Sequence, residues 1–280
     1  MPYRTRAGLR RAASWVGGIV NHVSSVLSDA LESATGSRGT LVPPKRLQFV
    51  GQGDFEQIGA DFLRYFVELG DLKQEDSVLD VGCGVGRMAA PLTDFLSPRG
   101  SYDGFDIVPA GIRWCSKHIG RKYRNFRFQL ADVHNQFYHP EGRCRASEYR
   151  FPYDDEAFDF VFAASIFTHM LPEDMGNYLS EIARVLRKGR RCLITYFLLN
   201  QQSRRLLDDG ASTLEFGHGG DGYRTADETM PECLVAYDEA SIRDACERRG
   251  LSIVDPIHYG SWCGRESSLS FQDIVIASKG

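Results

Sequence analysis

The sequence predicts an α/β protein with a doubly wound, mostly parallel seven-stranded sheet that finishes in an antiparallel hairpin. Two observations predict this class. Short apolar runs of strand length alternate with helical patterns along most of the chain, as in βαβ units. A tight glycine turn follows the first run, and acids stand at the ends of the next two. The predicted strands cover residues 77–81, 100–107, 126–133, 158–165, 192–199, 251–259 and 271–278.

The composition indicates a protein that can bury a core and carries little net charge. Of its 280 residues, 42% are apolar, and the net charge is −4. Nucleic-acid binders usually show a basic surface, so we expect no nucleic-acid partner. Seven cysteines are scattered without a C-x-x-C pair, which predicts reduced thiols and a cytoplasmic location. No apolar run reaches the roughly 18 to 20 residues of a membrane span.

Residues 1–45 are predicted to form an appendage to a domain at residues 46–280. Four arginines precede apolar residues at helical spacing, and a linker rich in glycine and proline follows from residue 34. A basic amphipathic helix can lie weakly on an anionic membrane surface. It can also pack on the domain or on a partner subunit, and the glycines and serines that interrupt its apolar face favour this alternative.

A glycine turn at residues 82–86 points to a nucleotide-like cofactor. Asp80 is followed by glycines at 82, 84 and 86, and a helical pattern comes next. Glycine permits positive φ and a close approach of backbone to a ligand, and the helix start offers free N–H groups. A dinucleotide site requires G-x-G-x-x-G, but Arg87 occupies the position of the last glycine.

This D-x-G-x-G-x-G turn resembles motif I of the class I S-adenosylmethionine-dependent methyltransferases. The later run SxFTHM…EIxRVLRxG resembles the region from motif IV onward in many small bacterial members. The resemblance covers about residue 49 to the C-terminus and implies a Rossmann-like fold and S-adenosylmethionine as cofactor. It implies that Asp80 and the backbone of Gly82 and Gly84 meet the methionine amine, with Cys83 and Gly86 in the same turn.

Two further strand ends carry acids that suit the rest of this cofactor. Asp106 lies about twenty residues after Gly86, where an acid accepts from ribose hydroxyls, and Ile107 follows it. The alternative for Asp106 is a helix cap. By the resemblance, Asp132 accepts from the adenine amino group and the Val133 N–H donates to the ring. Asp132 could also cap a loop.

The acceptor side is predicted to follow the fourth strand. Backbone near Ala164 and Ser165 would face the methionine amine, and His169 stands just beyond. Imidazole titrates near neutral pH, so His169 could remove a proton from an acceptor hydroxyl. It could instead be a hydrogen-bonding turn residue that shapes the next helix. Residues 200–237 form a long connection on the same rim and are a candidate lid over the acceptor.

Three function classes remain open at this point. The first is methyl transfer to an oxygen, or a nitrogen, of a small-molecule acceptor. The second is a cofactor-binding or interaction protein that has the fold without the activity. The third is a nicotinamide oxidoreductase, against which Arg87 and Asp80 count. No metal site is expected, because His134, His139 and Cys144 lack a fourth ligand and the usual pair spacing.

Overall fold

The structure is a computed structural model, and it describes residue 29, residues 39–48 and residues 53–280. The predicted N-terminal helix and residues 34–38 of its linker therefore lie outside the described residues. Asp29 is the exception: its carboxylate accepts hydrogen bonds from the backbone N–H groups of Lys45 and Arg46 and from the Arg46 guanidinium.

Eleven strands and six α-helices make up the described part of the chain. The strands are β1 (Ser77–Val81), β2 (Ser101–Asp106), β3 (Phe126–Leu130), β4 (Phe158–Ala163), β5 (Leu186–Tyr196), β6 (Leu198–Leu199), β7 (His218–Gly220), β8 (Tyr223–Thr225), β9 (Val235–Asp238), β10 (Leu251–Ile253) and β11 (Asp273–Lys279). The α-helices are α1 (Phe55–Glu68), α2 (Ala89–Phe95), α3 (Pro109–Cys115), α4 (Pro172–Val185), α5 (Gln201–Asp208) and α6 (Glu239–Glu247).

Seven strands form the main sheet in the order β10-β11-β5-β4-β1-β2-β3. The pairs from β5 through β3 are parallel, whereas β11 is antiparallel to both β5 and β10. This confirms the predicted fold class, including the terminal antiparallel hairpin. β10 ends at Ile253, earlier than predicted, and Pro256 soon follows without an N–H to donate to a ladder.

Helices cover both faces of this sheet, as a doubly wound fold requires. Alternate residues of β4 show the division, because successive side chains of a strand point to opposite faces. Phe160 joins the core beneath α1, α2 and α3, where Phe66 is its aromatic neighbour. Val161 joins the core beneath α4 and α6, which includes Tyr178 and Ile242. The carboxyl ends of β1, β2 and β4 are left free to form a site.

Helix α4 ends earlier than the sequence predicts. Two cations and a glycine at residues 187–189 predict the close of the helix there, but the helix ends at Val185 and these residues belong to β5. The arginine has a tertiary partner that the sequence pattern does not reveal: Arg187 donates to Asp159 of β4 at 2.6 Å. Leu186 pairs with Phe158, so the strand begins as soon as the helix stops.

The segment at 200–237 is folded, where the sequence predicted a long connection. Asn200 and Ser203 cap α5 reciprocally, and β6 to β9 form a second sheet in the order β6-β9-β8-β7. A small apolar cluster, which includes Phe197 and Trp262, packs beneath this second sheet and joins it to the main one. The strands are two to four residues long, too short to give a readable alternation.

Candidate active site

A cleft opens at the carboxyl ends of β1, β2 and β4 and has two lobes. The polar lobe has a volume of about 290 Å³ and the apolar lobe about 450 Å³. Eight residues line both lobes, so the two spaces form one continuous site: Gly82, Asp106, Ile107, Asn135, Ile166, His169, Met170 and Glu232. Val133 lines the polar lobe alone, and Gly84, Ala164 and Ser165 line the apolar lobe alone.

The glycine turn is held open by the neighbouring strand. The N–H groups of Gly82 and Cys83 both donate to the carbonyl of Phe105, at 3.0 Å. Gly82 has φ of 89°, and a Cβ there would lie 2.1 Å from Ile166 Cδ1. Gly84 has φ of 54°, yet a Cβ there would meet nothing within 4 Å. Backbone therefore borders open space at Gly84, where a ligand can approach it closely.

Asp106 holds the glycine turn by hydrogen bonds, and its carboxylate can still accept further hydrogen bonds. Its Oδ2 accepts from the Gly84 N–H at 2.8 Å, and its Oδ1 accepts from the Val108 N–H at 2.8 Å. Burial raises the pKa of Asp106, and the backbone donors from Val108, Gly84 and Ile107 oppose that rise. A carboxylate has about four acceptor positions, so Asp106 can accept from ribose hydroxyls while it holds the backbone.

Three of the predicted turn residues lie behind the site and do not line it. Asp80 accepts a 2.6 Å hydrogen bond from the Tyr102 hydroxyl, and burial raises its pKa to about 8. Burial also raises the pKa of the Cys83 thiol, which makes Cys83 a packing residue. A Cβ on Gly86 would lie 2.9 Å from Ile119 Cδ1, so that position needs a glycine for packing.

Asp132 lines neither lobe, although its neighbour Val133 lines the polar lobe. Its carboxylate accepts from Arg143 Nε at 2.6 Å, and the side chain is 42% exposed. The ion pair lowers the pKa of Asp132. The segment at Cys144 lies beside this point. The Cys144 N–H donates to the Asp132 carbonyl, and the His134 N–H donates to the Cys144 carbonyl. Contact between Asp132 and a ligand stays a prediction.

His169 ends a short 3₁₀ turn, Phe167–His169, and borders both lobes. Its Nδ1 lies 3.2 Å from the main-chain oxygen of Glu232. A carbonyl only accepts, so Nδ1 carries the hydrogen and the neutral ring keeps a lone pair on Nε2. Burial lowers the pKa of His169, so the ring is neutral at pH 7.

Asn135 and Glu232 line the site, and sequence reasoning missed both. Asn135 Oδ1 accepts from the N–H groups of Phe137 and Tyr138, at 3.0 and 3.1 Å, while its Nδ2 donates to Glu232 Oε2 at 3.2 Å. We call this cross-link the roof clasp, because it joins the loop after β3 to the excursion between β6 and β9. The partners stand 97 residues apart, and no local pattern connects them.

The part of the chain that the structure describes lacks two kinds of feature. No three or more His, Cys, Asp or Glu side chains there group in a way that could hold a metal ion. Among the same residues, no helix has the length and apolar character to cross a membrane. All seven cysteines are described, and each is a free thiol.

Comparison with known proteins identifies the family. A family model described as "Methyltransferase domain" matches residues 54–255. The phthiotriol/phenolphthiotriol dimycocerosates methyltransferase of Mycobacterium leprae is 34% identical over 112 residues, 40% of this chain and 34% of that protein. The 27-O-demethylrifamycin SV methyltransferase of Amycolatopsis mediterranei is 30% identical over 148 residues, 53% of this chain and 48% of that protein. The match thus spans about a third of the first relative and about half of the second.

A solved structure agrees on the fold. The crystal structure of magnesium protoporphyrin IX methyltransferase from Synechocystis PCC 6803 with bound SAH has a TM-score of 0.51 and 16% identity. The alignment covers 91% of this chain and 99% of that one. The family model covers well over half of the chain and contains β1 through β10 with the whole cleft. The chain belongs to the methyltransferase domain family.

Proposed function

We propose that this protein transfers the methyl group of S-adenosylmethionine to an oxygen, or a nitrogen, of a small-molecule acceptor. One observation carries the proposal: the glycine turn, the strand-end acid and a histidine, at Gly82, Asp106 and His169, line a single cleft. A sulfonium already activates the methyl group that it carries. The protein then has to hold donor and acceptor in line and accept a proton.

The residues present fit this donor. The space beside Gly84, which a Cβ would partly fill, admits ligand atoms against bare backbone. Ala164 and Ser165 line the same lobe and would hold the methionine end, while Asp106 would accept from the ribose hydroxyls. Ile107 and Val133 border the polar lobe and would contact the adenine, with Asp132 at its edge. Asp80 would act on the methionine amine from behind the turn.

The character of the apolar lobe indicates what kind of acceptor enters. Phe137, Tyr138 and Met170 are among its lining residues, and Phe137 is 46% exposed at the surface of the protein. We therefore assign the acceptor as a largely apolar molecule with a hydroxyl group. His169, neutral at pH 7, would take the hydroxyl proton on Nε2 as the oxygen attacks the methyl group. The names of the two relatives, a phthiotriol/phenolphthiotriol dimycocerosates methyltransferase and a 27-O-demethylrifamycin SV methyltransferase, are compatible with this class.

Calorimetry with S-adenosylhomocysteine and, separately, NAD tests the donor assignment. We expect binding of S-adenosylhomocysteine and none of NAD; the reverse result would support an oxidoreductase. A screen with radiolabelled S-adenosylmethionine and apolar hydroxyl compounds then tests transfer. A protein that binds the donor product but labels no acceptor in that screen would be a binding protein of this fold.

We further infer the organisation around the domain. The methyltransferase domain spans residues 46–280, with an insertion at 200–237, and residues 1–45 pack on the domain or on a partner subunit in the cytoplasm. Weak contact with a membrane surface is the other outcome to test. The seven free thiols support a reducing compartment. Light scattering and vesicle flotation of the full chain and of a chain lacking residues 1–45 distinguish the two contacts.

A further inference from the structure

Ser165 has a backbone conformation that a serine rarely adopts. Its φ is 61°, in the left-handed region, and only two other non-glycine residues of the described chain have positive φ, Asp71 and Glu156. Such a conformation is unfavourable for a residue with a Cβ and persists where surrounding contacts impose it. Ser165 also lines the apolar lobe, beside Gly82 and Gly84. The strained residue therefore stands at the site itself.

Hydrogen bonds to two residues distant in the sequence, Thr195 and Gln272, hold this conformation. The Ser165 N–H donates to Thr195 Oγ1 at 2.8 Å, and Thr195, on β5, is fully buried. The Thr195 hydroxyl donates in turn to Gln272 Oε1 at 2.6 Å. Gln272 precedes β11 and also accepts from the Ser165 hydroxyl at 3.1 Å. Each polar atom of the serine except its carbonyl is thus tied to this pair.

We propose that Thr195 and Gln272 are positioning residues that hold the Ala164–Ser165 turn in the form that binds the methionine end of the donor. Neither residue lines a lobe, so neither touches the donor directly. They act through the backbone of Ser165. The inference rests on the proposed function, because it assigns a role within the donor site. It extends the proposed donor site from the residues that line the cleft to Thr195 on β5 and Gln272 just before β11.

The physical argument is a balance between strain and hydrogen bonding. Without the Thr195 hydroxyl, the Ser165 N–H loses its buried acceptor and the turn can relax toward negative φ. A relaxed turn would move backbone of the apolar lobe relative to Gly82 and Gly84. Glycine at position 165 reaches positive φ without that penalty, so it should hold the turn with less help from Thr195.

The test compares substitutions at Thr195 by calorimetry with S-adenosylhomocysteine. We expect Thr195→Val to raise Kd about tenfold, in line with the loss of one buried hydrogen bond, and Thr195→Ser to stay within about twofold. KM for the donor should rise with Kd while kcat at saturating donor stays within about twofold. Ser165→Gly combined with Thr195→Val should recover most of the lost affinity, which loss of stability alone would not allow.

Two further variants keep the result interpretable. Thr93→Val removes a hydroxyl that bonds within its own helix to the Ala90 carbonyl, so it should leave Kd unchanged. If Thr195→Val does not fold, Gln272→Leu replaces it as the test. Gln272 is half-buried, and Gln272→Leu should raise Kd about threefold. Wild-type protein that binds no S-adenosylhomocysteine overturns the proposed function and this inference with it. If the wild type binds and folded Thr195→Val has an unchanged Kd, the inference alone is overturned. Where Thr195→Val does not fold, an unchanged Kd in folded Gln272→Leu has the same consequence.

Discussion

The imidazole Nδ1 of His169 lies 3.2 Å from the main-chain carbonyl oxygen of Glu232, and this contact sets the chemistry of the ring. The carbonyl belongs to the folded excursion between β6 and β9, whereas His169 follows β4. The excursion therefore fixes which nitrogen of the ring carries the hydrogen and leaves the other as an acceptor. Only a folded excursion delivers that carbonyl to the site.

His169→Asn tests the proposed base. The asparagine amide can still donate to the Glu232 carbonyl, but no basic nitrogen remains at the position of Nε2. We expect kcat to fall by about 10²- to 10⁴-fold, the usual contribution of a general base. Steady-state kinetics should be measured beside calorimetry with S-adenosylhomocysteine, whose Kd should change by less than about threefold. Equal losses in kcat and donor affinity would contradict the base role and favour a structural one.

The pH profile gives an independent check on the same residue. Burial lowers the pKa of His169, so its acid limb lies below the ordinary imidazole value of about 6.5. We expect kcat/KM to be level near pH 7 and to fall as the pH drops through that lowered value, because the protonated ring cannot accept a proton. His169→Asn should lack this limb. A limb that persists in the variant belongs to another group.

Gly84→Ala separates a ligand effect from a backbone effect. Gly84 and Gly250 have φ of 54° and 72°, and a Cβ at either would meet no atom within 4 Å. Alanine at either position should therefore cost about 1 kcal/mol of stability. Only Gly84 lines the cleft, so only Gly84→Ala should weaken binding of S-adenosylhomocysteine, by tenfold or more. Thermal unfolding and calorimetry on both variants check this, and equal affinities would remove the glycine turn from the donor site.

Asp80 should make the protein less stable as the pH rises toward alkaline values. Burial raises its pKa to about 8, well above the value of about 3.9 in an unfolded chain. The folded state thus binds the extra proton, and the stability that this contributes is complete below about pH 4 and is lost as the pH rises through 8. Between pH 6 and 9, the Tm of the wild type should fall more steeply than that of Asp80→Asn, which has no proton to lose. Parallel curves would contradict the raised pKa.

The roof clasp should affect acceptor binding more than donor binding. Asn135→Asp keeps the acceptor for the Phe137 and Tyr138 N–H groups but opposes a second carboxylate to Glu232. We expect KM for the acceptor to rise about tenfold with little change in donor affinity. In the double variant with Glu232→Gln, the glutamine amide donates to the new aspartate, so the hydrogen bond returns in the reversed direction. KM for the acceptor should then return to within about twofold of the wild-type value. A double-mutant cycle without coupling would show that the clasp is not formed in solution.

Several cleft-lining residues could be predicted because the pattern that marks them is local in the sequence. Gly82, Gly84 and Asp106 stand at or next to strand ends, and parallel strands bring such ends to one edge of a sheet. Two residue pairs could not be predicted, because each joins distant segments of the chain through a single hydrogen bond. They are Asn135 with Glu232 and Thr195 with Gln272. The roles of Asp80 and Asp132 toward the donor stay predictions, since their carboxylates bond to Tyr102 and Arg143.

The excursion between β6 and β9 begins and ends at neighbouring strands of the second sheet. Leu198 pairs with Tyr237 and Leu199 with Asp238, so both ends of the excursion are pinned side by side. A segment closed in this way can be exchanged or lengthened at a small entropic cost, because its ends do not move. It supplies Glu232 to the roof clasp, whereas Gly82 and Asp106 of the cleft lie elsewhere in the chain. A different segment between β6 and β9 would therefore change the lining of the cleft beside His169 and leave the glycine turn and Asp106 as they are.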